Sequence, residues 1–320
     1  MDKYKFNKIF KNKKIIITGH TGFKGSWLAL WLSKIGANVL GLSLNVPTSP
    51  SHFGLLNLEK VRSKKIDITN LKILKKEIKR FKPDFIFHLA AQAIVKKSYE
   101  NPIETFNTNL IGTINILEAI KDIKKETISI IITSDKSYKN IETKKGYKES
   151  DILGGEDPYG ASKSAADIAI NSYIKSFFSN KKNKNYICIA RAGNVIGGGD
   201  WSEGRLIPDC MRSWLKKKVV KIRNPNSTRP WQHVLDVIYG YLVLAVNLKE
   251  NKRIHGEAFN FGPNMNKNYK VVDILKKSKK IWPTIKWNIQ AKKNFKENFL
   301  LNLNNNKAKK IIKWKPTLDI

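Results

Sequence analysis

Tyr159 and Lys163, four residues apart in the string DPYGASK, could carry out acid–base chemistry. On a helix, side chains at this spacing lie on one face, so the ammonium can approach the phenol. A free phenol has a pKa of about 10, and a nearby positive charge lowers it. Tyr159 could then exchange a proton with a substrate hydroxyl while a hydride leaves the neighbouring carbon. Ser134 could hold the same hydroxyl or could simply end its strand.

An acid and a base stand side by side at Asp135 and Lys136, directly after Ser134 and the apolar run TISIIITS. Neighbouring Asp and Lys residues are common on surfaces, where such an ion pair contributes little. At the mouth of a buried strand, however, the same pair could donate and accept protons on a bound molecule. Both interpretations remain open from the residues alone.

The elements that must position these groups begin with a glycine-rich turn. Gly19, Gly22 and Gly25 lie in TGHTGFKG, which follows the strand KIIITG and opens a helix. In this context the glycines are typical of a dinucleotide-binding turn, in which the pyrophosphate lies against the helix N-terminus. The turn also brings Thr21 and Phe23 to the cofactor. The hydride of the proposed chemistry would therefore move to a nicotinamide.

One part of the dinucleotide pattern is missing. An acidic residue that binds the ribose hydroxyls is expected after the second strand, but the chain reads SLNVPTSP there. Ser43 or Asn45 could take its place. The choice between NAD and NADP stays open, although the absence of an Arg for a 2′-phosphate favours NAD.

Three further segments contain candidate cofactor contacts. Asp67 could bind the adenine amine or could cap the following helix. Ala90, Ala91 and Gln92 end a parallel strand in small residues and leave room for a flat ligand. Asn109 could be a satisfied buried amide or could position the active site.

Short apolar strands alternate with helices along the first part of the chain, including KIIITG, ANVLGLSL, KKIDI, FIFHLA, TISIIITS and NYICIARAGN. This alternation predicts an α/β fold with a Rossmann-type, doubly wound parallel sheet. We expect residues 1–190 to form the dinucleotide-binding domain with the catalytic residues. Residues 191–320 are expected to form mainly a smaller, mixed substrate lobe, with some segments returning to the first domain. The Lys- and Asn-rich residues 276–310 are expected to be folded.

The composition argues against several classes of protein. The net charge of the 320 residues is +34, but the lysines are dispersed from Lys3 to Lys315, which is typical of a solvated surface and not of a nucleic-acid site. Only eight of the 60 basic residues are Arg, and five of them cluster within 191–229, which favours phosphate recognition. These five are Arg191, Arg205, Arg212, Arg223 and Arg229. Two cysteines, with no membrane-length apolar run and no signal peptide, predict a cytoplasmic protein without a metal centre.

Several strings together resemble the extended short-chain dehydrogenases/reductases and, more narrowly, the nucleotide-sugar 4,6-dehydratases, in their CDP-glucose branch. They are TGHTGFKGSWLALWL, FHLAAQAIVKKSY, TSDKSY, LGGEDPYGASK, ARAGNVIGGGDW, RLIPD and RPWQHVLD, and they span residues 15–240. The resemblance implies that NAD accepts a hydride from carbon 4 of the sugar, that water is lost across carbons 5 and 6, and that the hydride returns to carbon 6. It assigns Asp135 as the acid and Lys136 as the base of the elimination.

The resemblance also implies substrate contacts and partners. Asn194 and Arg229 match positions that face and bind the substrate diphosphate, and Arg205 and His233 are additional candidates. CDP-glucose or a similar nucleotide sugar is the expected substrate, in deoxysugar synthesis for surface lipopolysaccharide, and a homo-oligomer is expected. The family has a further helix after the closing motif that NNNKAKKIIKWKPTLDI resembles.

Rival functions remain. A nucleotide-sugar epimerase, or a dehydratase for another nucleotide, would share Tyr159, Lys163 and the glycine turn but would not need the Asp–Lys pair. A nucleic-acid-binding protein would need its basic residues on one face. A catalytically silent dinucleotide sensor would have no use for Tyr159 and Lys163.

Overall fold

The computed structural model describes residues 3–180, 182–264, 269–290 and 300–318. The strands of this part of the chain are β1 (Lys14–Thr18), β2 (Asn38–Ser43), β3 (Val61–Lys65), β4 (Phe85–His88), β5 (Thr127–Ile132), β6 (Asn185–Ala192), β7 (Val195–Ile196), β8 (Val220–Ile222), β9 (Thr228–Arg229), β10 (Gln232–His233), β11 (Ala258–Phe261), β12 (Tyr269–Lys270) and β13 (Trp287–Ile289).

The helices of the described residues are α1 (Lys3–Phe10), α2 (Phe23–Ile35), α3 (His52–Leu55), α4 (Leu71–Phe81), α5 (Val95–Glu100), α6 (Pro102–Phe106), α7 (Gly112–Lys121), α8 (Pro158–Tyr173), α9 (Leu206–Leu215), α10 (Val234–Glu250), α11 (Val271–Ile281) and α12 (Asn306–Ile311). A π-helical segment, Asn107–Ile111, joins α6 to α7, and another, Ile174–Phe178, extends α8. Short 3-10 turns lie at Asp135–Ser137 and Lys252–Ile254.

Seven of these strands form one parallel sheet in the order β11-β6-β5-β4-β1-β2-β3. Its central strands are apolar on both faces because helices cover both faces, as β5 illustrates with every residue buried. One core contains residues of α1, α2 and α10, and the other contains residues of α4, α7 and α8. The predicted Rossmann-type doubly wound sheet is confirmed.

The third strand lies three residues earlier than the sequence predicts. KKIDI places it at residues 64–68, whereas β3 is Val61–Lys65. Its residues pair with β2 from Val39 to Ser43, and the chain leaves the sheet after Lys65. Ile66 and Ile68 made the later segment look like a strand, but they are buried beyond the strand end, where Asp67 turns the chain.

A third hydrophobic cluster lies between α9, β8, α11 and β13. Trp231 is buried in it, and Trp214, Trp282 and Trp287 contribute. Residues 276–310 are expected to be folded. Helix α11, strand β13 and helix α12 include parts of this range, while residues 291–299 lie outside the described residues.

Neither a membrane-spanning helix nor a metal-binding cluster is found in the described ranges. None of their helices is both long enough and apolar enough to cross a membrane. In the same ranges no cluster of His, Cys, Asp or Glu side chains could hold a metal ion. Both cysteines, Cys188 and Cys210, are buried free thiols.

Candidate active site

The glycine turn after β1 is built so that only glycine fits at two of its positions. Gly19 has φ 73°, and a Cβ there would lie 2.7 Å from the backbone nitrogen of Ala90. A Cβ on Gly25 would lie 2.0 Å from the carbonyl oxygen of Gly19. Helix α2 begins at Phe23 after Gly22, which offers no side-chain cap. The first amide groups of α2 are thus left for an anion such as a pyrophosphate.

His20, within this turn, contacts the end of β2, where the ribose-binding acid was expected. His20 is buried, and its ring bridges the hydroxyl oxygens of Ser43 at 2.8 Å and Ser63 at 2.7 Å. Burial lowers the pKa of His20 to about 4, so the ring is neutral at pH 7. The ring fits because β2 has Gly41 opposite, where a Cβ would lie 2.2 Å from it.

Ser43 and Thr21 are accordingly engaged within the protein. The Ser43 hydroxyl also accepts a hydrogen bond from the Thr21 backbone N–H, at 3.3 Å. The Thr21 hydroxyl donates to the carbonyl of Asn45 at 2.6 Å. Phe23 is partly buried against the first core, and its ring faces Gly197.

Asn109 fixes the turn that carries Ala90, Ala91 and Gln92. Its amide oxygen accepts from the Gln92 backbone N–H at 2.9 Å, and its nitrogen donates to the Gln92 carbonyl at 3.0 Å. The same nitrogen donates to the hydroxyl of Ser162 on α8 at 2.9 Å. Asn109 is fully buried, so it is the satisfied amide that was one of the two alternatives, and it links the Gln92 turn to α8.

Asp67 lies on the surface after β3, with its carboxylate accepting from the Thr69 backbone N–H at 2.8 Å. The helix cap that was one alternative for Asp67 is provided by Asn70, whose side chain accepts from the Ile73 N–H.

Tyr159, Lys163 and Ser134 meet where β5 ends against the first turns of α8. The Ser134 hydroxyl lies close enough to the Tyr159 phenol to lower its pKa. The Lys163 ammonium is buried and donates to the Ile132 carbonyl at 3.3 Å. Burial lowers the pKa of Lys163 to about 8, against the opposing effect of Asp167. The expected lowering of the phenol pKa is not found: burial raises the pKa of Tyr159, and Ser134 and Arg205 only oppose it.

Asp135 is a buried carboxyl with one oxygen left over. Oδ1 accepts from the Ser134 hydroxyl at 3.0 Å, while Oδ2 has no hydrogen-bond partner in the part of the chain that the structure describes. Oδ2 lies beside Gly193, where a Cβ would approach it to 3.2 Å. Burial raises the pKa of Asp135, although Lys136 and the Ser134 bond oppose the rise. A carboxyl in this environment retains its proton more readily, as a general acid must.

The Lys136 side chain forms an ion pair and is only partly buried. Its ammonium lies 3.0 Å from Asp157 Oδ2 and keeps 34% of its side-chain surface exposed. The Lys136 ammonium is therefore neither fully buried nor unpaired in this arrangement.

Lys24 is a site residue that the sequence reasoning missed. It lies in the first turn of α2, and its ammonium is 3.4 Å from the Tyr241 hydroxyl, without a carboxylate at ion-pair distance among the described residues. Burial, followed by Arg205 and Lys163, lowers the pKa of Lys24 to about 7. The only signal was a lysine inside the glycine motif, which a lysine-rich chain conceals.

Two candidate substrate residues, Asn194 and His233, lie at the paired strands β7 and β10. β7 pairs with β10, and the Gln232 N–H donates to the Asn194 carbonyl at 3.0 Å, so Asn194 and His233 are brought together. The Asn194 side chain is exposed, whereas His233 Nδ1 accepts from the Leu235 N–H and caps α10. Arg229 is close enough to Asp135 to lower its pKa.

The arginine cluster does not act as one phosphate-binding group. Arg205 acts on the Tyr159 phenol electrostatically while it pairs with Asp200 at 3.2 Å. Arg212 instead binds Asp209 and two backbone carbonyls. Arg191 is buried against Asp167, far from the exposed position that phosphate recognition requires. The expectation that the clustered arginines recognise phosphate therefore does not extend to the buried Arg191.

Comparisons with known proteins agree with this geometry. The family model described as GDP-mannose 4,6 dehydratase matches residues 16–320. The chain is 41% identical over 312 residues to the CDP-glucose 4,6-dehydratase of Salmonella typhimurium, covering 96% of this chain and 87% of that protein.

Among solved structures, an epimerase of Methanothermobacter thermautotrophicus has a TM-score of 0.86 at 22% identity, covering 99% of this chain and 91% of its own. The dTDP-glucose 4,6-dehydratase of Streptomyces venezuelae, solved with NAD bound, has a TM-score of 0.80 at 20% identity, covering 96% and 93%. These two likenesses support the fold. The resemblance to nucleotide-sugar dehydratases is confirmed by the family match and by the Salmonella relative, and the chain belongs to the GDP-mannose 4,6-dehydratase family of enzymes.

Proposed function

We propose that this enzyme converts CDP-glucose to CDP-4-keto-6-deoxyglucose and water, with NAD as its resident cofactor. The observation that carries the proposal is the buried carboxyl of Asp135, whose free Oδ2 lies beside the Ser134–Tyr159–Lys163 group. An oxidoreductase that only moves a hydride needs the latter group alone. A second, proton-retaining acid in the same site suits the loss of water.

The residues present fit a dinucleotide. Gly19, Gly22 and Gly25 leave space for a pyrophosphate at the uncapped N-terminus of α2, and Tyr159 with Lys163 would hold the nicotinamide end. When bound, NAD would supply an acceptor for the hydride from carbon 4 and a donor for its return to carbon 6. The neutral His20 beside the turn adds no charge that would select a 2′-phosphate.

The side chains divide the proton transfers between them. Ser134 orients the carbon 4 hydroxyl, and Tyr159 removes its proton with the Lys163 ammonium nearby. The resulting ketone acidifies carbon 5, from which Lys136 takes the proton. Asp135 then protonates the departing carbon 6 hydroxyl, so that water leaves. Lys136 returns a proton to carbon 5 as carbon 6 receives the hydride, which completes the product. For Lys136 to act as the base, substrate binding must separate it from Asp157.

Arg229 and Asn194 are proposed to hold the diphosphate, with Arg205 and His233 as further contacts. The 41% identity to the Salmonella relative supports CDP-glucose as the substrate. We propose deoxysugar synthesis for surface lipopolysaccharide as the purpose. A homo-oligomer is proposed, and the two free cysteines suit the reducing cytoplasm.

The test is incubation of the purified enzyme and NAD with CDP-, dTDP- and UDP-glucose and with GDP-mannose, followed by mass spectrometry. We expect loss of one water from the CDP sugar, with the other nucleotides converted far more slowly. Conversion to an isomer of unchanged mass would establish a 4-epimerase instead. Preferential dehydration of another nucleotide sugar would refute the assignment of cytosine as the nucleobase of the substrate.

A further inference from the structure

Behind the reacting groups lies a buried ion pair that the proposed chemistry does not use. Asp167 Oδ1 accepts from Arg191 Nη2 at 2.7 Å, and Oδ2 accepts from Arg191 Nε at 2.9 Å. The two side chains are 0% and 3% exposed. This two-bond geometry is the strong form of an Arg–carboxylate contact. Because fully desolvated ion pairs seldom add stability, we looked for a role of this pair in the active site.

Asp167 connects the pair to the redox centre by two routes. It lies one helical turn after Lys163 on α8, so its charge acts directly on the Lys163 ammonium. It also accepts from the Thr133 hydroxyl at 2.8 Å. Thr133 immediately precedes Ser134 and Asp135, so this bond holds the strand end that carries both.

Arg191 connects the pair to the opposite side. Its Nη1 donates to the Tyr138 hydroxyl at 2.9 Å and to the Glu149 carbonyl at 3.1 Å. Tyr138 in turn donates to Asn260 on β11 at 2.7 Å. One continuous network therefore links β5, β6, β11, α8 and the loop that follows Asp135.

We propose that the Asp167–Arg191 pair is a positioning unit of the redox centre, in which Asp167 keeps the buried Lys163 charged and, through Thr133, fixes the placement of Ser134 and Asp135. This inference deepens the proposed function and depends on it for the role given to Lys163. Asp167 touches neither substrate nor cofactor and acts through the other residues.

The charge balance around Lys163 shows why this carboxylate is needed. The titratable groups that face Lys163 are Lys24 on α2, His88 at the end of β4, and Tyr159 and Asp167 on its own helix. Lys24 repels the ammonium, and His88 is neutral because burial lowers its pKa to about 3. Asp167 is the group that raises the pKa of Lys163 against burial.

Two substitutions separate the two routes. Asp167→Asn removes the charge and keeps a hydrogen-bonding side chain, whereas Thr133→Val breaks the Thr133 bond and keeps the charge. Asp167→Glu is the conservative control. Since Asp167→Asn leaves Arg191 buried and unpaired, the double variant Asp167→Asn/Arg191→Gln provides a neutral pair in case the single variant does not fold.

The first readout needs no turnover. In protein labelled with ¹³C at the lysine ε-carbon, we expect Lys163 to titrate below the surface lysines, and its signal is assigned by its loss in Lys163→Arg. We expect both Asp167→Asn and the double variant to lower the Lys163 midpoint, while Asp167→Glu and Thr133→Val retain it. The second readout is the pH profile of kcat, in which Asp167→Asn should move the alkaline limb to lower pH. Thr133→Val should lower kcat roughly tenfold or more without that shift, because displaced reacting groups are slow.

An unchanged Lys163 midpoint in Asp167→Asn, or in the double variant if the single one does not fold, would overturn the charge-setting role. Unchanged kcat in Thr133→Val would overturn the positioning role. A wild-type enzyme that dehydrates no nucleotide sugar would refute the proposed function, and the titration would still decide whether Asp167 sets the charge of Lys163.

Discussion

Asp157 holds two parts of the active site at once: its Oδ1 accepts from the Gly160 N–H and caps α8, and its Oδ2 lies 3.0 Å from the Lys136 ammonium. The cap fixes the first turn of the helix that carries Tyr159. The ion pair places Lys136 away from the full burial that a neutral amine requires. The residue proposed as the base of the elimination is therefore ion-paired in this arrangement.

We expect Lys136→Ala to oxidise the sugar but to lose water at least about a hundredfold more slowly, because general base catalysis contributes that much. Rapid quenching with mass spectrometry would detect a 4-keto sugar that retains its oxygen at carbon 6. Asp157→Asn is the matched variant, since Asn still caps the helix and frees the ammonium. Dehydration by Lys136→Ala at the wild-type rate would remove Lys136 as the base.

Asp135→Asn should also stop at oxidation, with water loss slowed at least about a hundredfold. Burial raises the pKa of Asp135, so the wild-type acid stays protonated to a higher pH than an ordinary carboxyl. Single-turnover water loss should accordingly fall as the pH rises through that raised pKa, and Asp135→Asn should lack this limb. A pH-independent elimination in the wild-type protein would contradict the acid role.

Tyr159→Phe should block the reaction earlier, before any reduced cofactor forms. The rate of the oxidation step is expected to fall about a hundredfold to ten-thousandfold, since the phenol is the proposed acceptor of the proton from the carbon 4 hydroxyl. Stopped-flow absorbance of NADH in a single turnover measures this step directly. Ser134→Ala is the comparison, and we expect a smaller loss because it orients the hydroxyl without taking its proton.

Lys24 makes a prediction for stability that is independent of catalysis. Burial lowers its pKa to about 7 in the folded protein, against about 10.4 when unfolded. Between these values the unfolded chain binds more protons, so the free energy of unfolding contains a term that rises with pH across this window. Urea unfolding of the cofactor-free protein should show Lys24→Met more stable at pH 7 and less dependent on pH above it. Parallel pH profiles for both proteins would rule out the buried amine.

The C-terminal segment is held to α10 by Asp236. Its carboxylate accepts from the Thr317 N–H and hydroxyl and from the Leu318 N–H. Asp236→Ala should lower the free energy of unfolding by about 2 kcal/mol, as expected for lost hydrogen bonds to a charged acceptor. Thr317→Val, which removes only the hydroxyl bond, should cost less, and equal losses would contradict this account.

Much of the fold could be predicted because its signals are local. The glycine turn, the apolar strands and the YxxxK spacing each depend on neighbours in sequence, and each is present in the structure. β11 is different: four residues, Ala258–Phe261, return to the sheet edge beside β6 after the small-lobe segments. So short a strand has no periodicity by which to identify it, and its place is set by packing.

Charged residues were harder to predict because sequence does not show burial. Arg191 and Arg229 look alike in a list of arginines, yet one is sealed against Asp167 while the other influences Asp135. Lys24 is one of dozens of lysines, and only the fold shows that its amine is enclosed. The identity of each partner depends on contacts distant in sequence.

The fit between His20 and Gly41 makes the cofactor turn and the second strand interdependent. A residue larger than glycine at 41 would collide with the imidazole, and a smaller residue at 20 would leave a gap between Ser43 and Ser63. If the turn of a relative were exchanged into this protein, the fold would therefore tolerate it only when the residue at position 41 was exchanged as well. The two sites constitute one inherited unit, although twenty residues separate them in the chain.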